Sequence, residues 1–264
     1  MERSRIGQRS TAVLLLGMAL RAGASPAAAP QSSDSLRILD DARHAQRDFE
    51  QRRRAGLPYD WDNRGRGVCE LRIGRFCYWY HPSPDRPPEP ENIGRERARL
   101  LDELAAAARQ LPGDDWILGQ RVRYLVEAHR IGAAVALSQT CGGTRWWCDA
   151  LEGFARHVGG DHEGAGPAFA RALRGMDEKR RCEWADLSAV LDDDEYPKLT
   201  SRIAQGRPCT ERLAAADRIW WLADPLYSLP GNDLESEHYA RHTMALLLEH
   251  ADNTYGMAWG SDLR

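Results

Sequence analysis

The sequence contains no Gly-rich phosphate loop, no Gly-x-Ser-x-Gly elbow and no Cys-x-x-Cys pair. The common signatures of nucleotide, acyl and thiol-disulfide chemistry are therefore missing, which favours a non-enzymatic role, and no cofactor is expected. Charge of one sign is missing too. Over 264 residues the formal net charge is -3, so no global field draws nucleic acid or an anionic membrane, and no nucleic-acid partner is expected. The apolar run Ala12 to Leu20 falls well short of the roughly twenty residues needed to span a bilayer.

That run has a different meaning in its context. Arg3, Arg5 and Arg9 precede it, and Ala22-Gly-Ala24 and Ala27-Ala28-Ala29 follow it. This is the order of a secretory signal, with cleavage near Ala24 or Ala29. A secreted or periplasmic location is expected, with no stable membrane span after signal removal. No Cys lies directly after the apolar run, which argues against a lipoprotein.

Six cysteines lie beyond the signal: Cys69, Cys77, Cys141, Cys148, Cys182 and Cys209. An even number in an exported chain points to disulfides. Nearest-neighbour pairing is favoured. Cys69 and Cys77 flank the turn Ile73-Gly74-Arg75, Cys141 and Cys148 flank Gly142-Gly143-Thr144, and Cys182 with Cys209 follows by elimination. A zinc site would use closely spaced pairs of the Cys-x2-Cys kind, and none is present.

Five domains or segments are expected along the chain: a signal at 1–29, an N-terminal segment at 30–80, a linker at 81–92, a helical repeat domain at 93–210 and a C-terminal segment at 211–264. Ser35 to Arg54 is polar and helix-compatible, with Leu36, Ile38 and Leu39 its large aliphatics, so a peripheral or partly disordered helix is expected. Val68 to Tyr80 is rich in β-branched and aromatic residues around a Gly and suits a hairpin. His81 to Asn92 carries five prolines and reads as an extended linker.

Beyond the linker the apolar spacing becomes helical. Leu100, Leu101, Leu104, Ala107 and Ala108 form one stripe, stopped by Leu111-Pro-Gly113. Asp114 or Asp115 caps the next helix, and Arg130-Ile-Gly132 breaks it. Thr144 and Asp161 cap two more, so two helical hairpins follow in succession. A 32-residue offset puts Ala133 on Ala165, Leu137 on Phe169 and Ala128 on Gly160. Ala133 and Ala165 are then expected at the closest helix-helix approach, with Arg171 facing solvent. Leu151-Glu-Gly-Phe154, Gly160-Asp-His162, Ala165, Phe169 and Ala172-Leu173 resemble the small-and-aromatic pattern of tetratricopeptide repeats over Trp116 to Met176. Gly166-Pro167 departs from that pattern, and a late helix start with Pro167 in the first turn would accommodate it.

Tandem indoles, Trp146-Trp147 and Trp220-Trp221, point about 100° apart on a helix, so one fills the core while the other caps an edge or meets a partner. These four are the candidate binding residues. His238 and His242 stand at i, i+4 and put both imidazoles on one helix face, the candidate metal pair; no third ligand and no His-Glu-x-x-His order accompanies them. Asp192-Asp-Asp194-Glu195 lacks the alternating ligands and Gly of a calcium loop and reads as an acidic turn.

Trp221-Leu-Ala-Asp224-Pro225, then Asn232, Glu237, Tyr239 and Arg241, and finally Ala258-Trp259-Gly260-Ser261-Asp262 are similar to the opening of the bacterial GWxTD domain, an exported module. The leading Gly and the Thr of its name are replaced here, and that family would continue into strands beyond Arg264. Arg241 four residues after Glu237 makes an i, i+4 ion pair. The fold expected is mostly α: a tetratricopeptide-like α-α hairpin array with a short N-terminal cystine-linked β-hairpin. The role expected is an exported scaffold or binding module whose partner is a protein or peptide of the cell envelope. The alternative is a metal-assisted hydrolase using His238 and His242.

Overall fold

Ser33–Gly56 is one helix, α1, although its sequence carries few large aliphatics. In the computed structural model it buries a full face, in which Leu39, Ala42, Gln46, Phe49, Glu50 and Arg53 recur at three- and four-residue spacing. The structure describes residues 33–56, the backbone of 71–73 and 76–78, and residues 90–185, 187, 209–223 and 230–252. The signal segment, the Cys69–Cys77 pairing, most of the linker, the 192–195 turn, Asp224-Pro225 and the 258–262 element lie outside the described residues. Ser32–Arg264 forms one compact unit. No helix among the described residues is long and apolar enough to cross a membrane.

The chain is mostly helical. Leu71–Ile73 (β1) and Phe76–Tyr78 (β2) pair antiparallel, with Arg72 opposite Cys77. Then come α2 (Glu91–Gln110), α3 (Asp115–Glu127), α4 (Ile131–Gln139), α5 (Arg145–Val158), α6 (His162–Gly175) and α7 (Glu178–Trp184). Two further helices, α8 (Cys209–Ala223) and α9 (Asp233–Leu248), complete the described chain. Helix α2 begins at Glu91, so the last two residues of the expected linker are helical, and the boundary expected at 210/211 falls inside α8.

Packing follows chain order. α1 rests on α2, α2 on α3, α3 on α4, α4 on α5 and α5 on α6, with α3 also touching α5. Short connections produce this ladder from α2 to α6, whereas residues 57–90 separate α1 from α2. The caps explain two of its turns. Asp114 accepts from Ile117 N at 2.9 Å and Asp161 accepts from Gly164 N at 2.9 Å. Thr144 does not cap through its side chain; its N and Oγ1 donate to the Asp115 carboxylate at 2.8 and 2.6 Å, pinning the start of α5 to α3.

Four further local expectations are corrected. The α3–α4 break falls at Ala128–Arg130, where His129 takes a left-handed φ of 56°, and Gly132 lies inside α4. Helix α6 runs through Pro167 instead of starting at it. Pro167 and Glu163, four residues earlier, are both exposed, so the carbonyl that loses its donor lies on the solvated side. The third concerns register: Ala133 is exposed whereas Ala165 is fully buried, so the 32-residue alignment is wrong at that contact. Arg171 does not face solvent freely either. Its Nε and Nη2 donate to Asp149 and Glu152 at 2.9 and 2.6 Å.

A polar cluster is buried where α1, α2 and α3 meet. Tyr124 donates to Glu50 Oε1 at 2.7 Å, and Arg53 and Arg123 each reach the same oxygen at 3.2 Å. Glu127 takes Arg53 at 2.9 Å, Arg123 at 3.1 Å and Arg97 at 3.8 Å. Burial alone would raise the Glu127 carboxyl, but Arg53, Arg123 and Arg97 outweigh it and hold it below its ordinary value. Burial pushes the Tyr124 phenol well up, so it stays a donor. Phe49 packs edge-on against Tyr124 at 5.3 Å.

Two substitutions test these contacts by chemical denaturation. Glu50→Ala leaves buried guanidinium charge uncompensated and should cost ~3–5 kcal/mol, whereas Glu91→Ala, whose side chain is 94% exposed, should cost under ~0.5 kcal/mol. Equal effects would mean the cluster is solvated. Ala165→Leu should overpack the α5–α6 contact by ~1–3 kcal/mol, and Ala133→Leu should fall within ~0.5 kcal/mol; a harmless Ala165→Leu would remove that residue from the contact.

Candidate functional site

Helix α9 is seated on α5 and α6 and reaches α3, and a dense set of polar and aromatic side chains lies along it. Asn232 starts it, accepting from Glu235 N at 2.9 Å while its amide donates to the Trp220 carbonyl of α8 at 2.7 Å. Gly231 just before has φ 83°, and a Cβ there would strike the backbone of His162 and Glu163. Only Gly allows this turn to lie against the start of α6.

At this end a Ser, two His and a Glu come together. His157 Nε2 donates to Glu237 Oε2 at 2.6 Å, and Arg241 Nε donates to Glu237 Oε1 at 2.7 Å, which is the expected i, i+4 pair. Ser236 Oγ lies 2.9 Å from His157 Nδ1 and 3.2 Å from His162 Nδ1, and donates to the Asp233 carbonyl at 3.0 Å. Ser, His and Glu are the members of a nucleophilic set. Their arrangement is a clasp instead. Ser236 is 1% exposed and its proton is committed to a backbone carbonyl, which leaves a substrate no approach. The hydrogen bond from His157 holds the Glu237 carboxyl down at about 2, against burial that would raise it, with Arg241 adding to the lowering.

The next turn carries the expected metal pair. The His238 and His242 rings do meet, at 4.6 Å between centroids. His238 is fully buried and its Nε2 donates to the Trp184 carbonyl at 2.7 Å, while His242 stacks on the Trp184 ring at 5.4 Å. A nitrogen that donates its proton to a carbonyl has no lone pair for a metal. Among the described residues no group of three or more His, Cys, Asp or Glu side chains is arranged to hold a metal ion. The histidines serve an aromatic cluster in which Trp220 meets His238 at 5.1 Å and Trp184 stacks on Tyr239 at 5.9 Å.

The tandem tryptophans divide by burial. Trp147 is buried and donates from Nε1 to the Asp115 carbonyl at 2.9 Å, and its half-buried neighbour Trp146 lies under the Arg180 guanidinium at 4.5 Å. Trp220 is buried, whereas Trp221 is 65% exposed beside Leu222 at 72%. Of the four, Trp221 alone presents most of its surface. Among the described residues two cystines are present, Cys141–Cys148 with Cα atoms 6.0 Å apart and Cys182–Cys209 at 5.4 Å, the nearest-neighbour pairs expected there. The first closes the α4–α5 connection and the second ties α7 to α8.

At its far end α9 is gripped by amide side chains. Gln120 donates to the Leu247 carbonyl at 2.6 Å. Gln46 donates to the Asp252 carbonyl at 2.6 Å and accepts from Asp252 N at 3.0 Å, and Arg123 Nη1 reaches the same carbonyl at 3.4 Å. None of Gln46, Gln120, His157, His162 or Ser236 stands out in the sequence, because isolated polar residues on apolar helix faces carry no spacing signal. No family model, no curated protein and no solved structure matches this chain.

The clasp has a pH signature. A carboxyl at about 2 in the fold and 4.5 ordinarily contributes stability that is complete above pH 4.5 and is lost as pH falls toward 2. Glu237→Gln should therefore lower the melting temperature at pH 6 and flatten its fall between pH 4.5 and 2. Parallel melting curves for the two proteins across that interval would remove Glu237 from the clasp.

Proposed function

We propose that this chain is an exported helical-repeat scaffold that binds a protein or peptide partner in the cell envelope. The ladder of helices carries the proposal. In such arrays each hairpin touches chiefly its neighbours, and the stacked inner helices form an extended surface for a partner. Three hairpins fit that scheme: α1/α2, α3/α4 and α5/α6.

A 34-residue spacing supports a tetratricopeptide-like repeat better than the 32-residue one. It relates Gly119 to Gly153, Ala134 to Ala168 and Ser138 to Ala172, all buried. A Cβ on Gly119 would lie 2.9 Å from Leu247, and one on Gly153 would lie 2.7 Å from Phe169, so small residues recur where helices approach closely. The two cystines are in keeping with an oxidising compartment outside the cytoplasm. The signal segment, a Cys69–Cys77 cystine across the β1–β2 pair and a GWxTD-like C-terminal segment complete the proposed organisation. Trp221 and Leu222 give the exposed apolar contact that a partner needs.

Affinity capture from the native envelope with the full chain, followed by binding measured with purified components, should yield a saturable protein partner. Trp221→Ser should weaken that binding at least ~10-fold, as for an aromatic anchor, with the helical circular dichroism retained. Envelope preparations from which nothing binds the purified chain directly would sink the proposal.

A further inference from the structure

The inner helices of the three hairpins, α1, α3 and α5, are all touched by one segment, α9 with the turn that follows it. Each is met differently. His157 of α5 holds Glu237 and Ser236 at the start of α9, Gln120 of α3 holds the Leu247 carbonyl near its end, and Gln46 of α1 pairs with the backbone of Asp252. The surface that a repeat array would offer to a partner is thus filled by the chain itself.

The way it is filled indicates what fits there. Ser236, Ala240, Thr243 and Leu247 recur at i, i+4, i+7 and i+11 and are each at most 1% exposed. These are one face of a helix, small along most of its length, lying close against the array. Beyond Leu247 the buried donors of the array recognise backbone, and a half-exposed side-chain pair joins them, in which Arg47 Nε donates to the Asp252 carboxylate at 3.2 Å. The last four carbonyls of any helix lack intrahelical donors, and here Gln120, Gln46 and Arg123, each at most 2% exposed, supply donors to a carbonyl of the last turn and to one just beyond. The buried part of such a clamp is indifferent to the sequence it holds, provided that a helix ends there, and Arg47 adds a preference for a carboxylate at the Asp252 position. With no helix in place, these buried amide donors would lose partners. The groove therefore favours exchange of one helix for another over standing empty.

We propose that the α1–α3–α5 face is a groove for the C-terminal part of an amphipathic helix, that α9 is its resident occupant, and that a partner protein inserts a helix of the same pattern in its place. The inference rests on the binding-module proposal and names its partner: a helix with small residues at i, i+4 and i+7, Leu at i+11 and a free C-terminal turn. Because α9 is tethered, the partner meets an intramolecular competitor, and its apparent affinity is reduced by the fraction of chains in which α9 is released.

The probe is a synthetic, labelled peptide of residues 230–252. Full-length Ala240→Arg cannot seat its own α9, since Ala240 is fully buried. It should bind the peptide saturably, at least ~10-fold tighter than the wild-type chain does, and its melting temperature should rise on binding. Adding Gln120→Leu should weaken the peptide at least ~10-fold by removing a clamp donor. Ala240→Arg that keeps its helical circular dichroism and binds the peptide no better than wild type overturns the proposal. Where Ala240→Arg does not fold, native-state hydrogen exchange of the wild-type chain decides. The amides of α9 should exchange at least ~10-fold faster than those of α5 and α6, and equal protection across the three helices overturns it. Peptide binding without any envelope partner would leave the groove standing and sink the binding-module proposal. An envelope partner bound while α9 remains as protected as α5 would do the reverse.

Discussion

Glu50 is the contact on which the packing of the described helices depends. One oxygen of its carboxylate collects Tyr124, Arg53 and Arg123, and so brings α1 onto α3 inside a polar cluster. A buried ion pair is weak support in itself, since apolar residues of the same volume often do as well. It is strong as a constraint. Once three guanidinium groups are buried, each carboxylate must be where it is, and α1 has only one register on α2 and α3 that places Glu50 and Arg53 correctly. The cluster specifies how the first hairpin stacks on the second where Phe49 and Leu39 alone would leave the helix free to slide.

Arginine is suited to this arrangement in a way lysine is not. Only two of the 36 basic residues, Lys179 and Lys198, are lysines. Arg123 shows the use: Nε donates to Glu127, Nη2 to Glu50, and Nη1 to Gln120 and to the Asp252 carbonyl. A planar fork of five donors serves four acceptors, two on its own helix, one on α1 and one beyond α9, with little loss of freedom per bond, whereas an ammonium would serve fewer and be costlier to dehydrate.

The hairpins after the linker were legible from their apolar period and caps, with Asp114 and Asp161 holding the backbone amides they were expected to hold. The Cys141–Cys148 cystine was legible from its spacing, and Cys182–Cys209 as the pair left over. The course of α1 was not, because half of its buried face is Gln46, Glu50 and Arg53, which any hydrophobic pattern counts as solvent-facing. The packing register was missed by a short step: an Ala is small enough to sit on either face, and Ala133 beside Ala134 gives no periodic signal to choose between them. Arg171 misled for the converse reason, since a charged residue on a helix reads as exposed until Asp149 and Glu152 across the hairpin are known to face it. The His238 and His242 pair was correctly placed on one face, but spacing says nothing of the Trp184 carbonyl that occupies one ring nitrogen.

Arg123 also joins the two halves of the structure. Through Nη2 it belongs to the Glu50 cluster that seats α1, and through Nη1 it belongs to the clamp that holds the end of α9. Burial would lower its pKa and Arg53 opposes as well, but the Glu127 and Glu50 carboxylates favour the charged form and the pKa is raised; an arginine keeps its proton whether or not the clamp is occupied. A cation that cannot shed its proton must keep acceptors around it. When α9 leaves, the Asp252 carbonyl goes with it, and the acceptors that remain to Arg123 are chiefly those of the Glu50 cluster. Occupancy of the inner face and the seating of α1 are therefore linked through one guanidinium, and a helix that supplies a carbonyl at the Asp252 position restores both. Coupling of this kind needs no long pathway, because the two contacts share a residue.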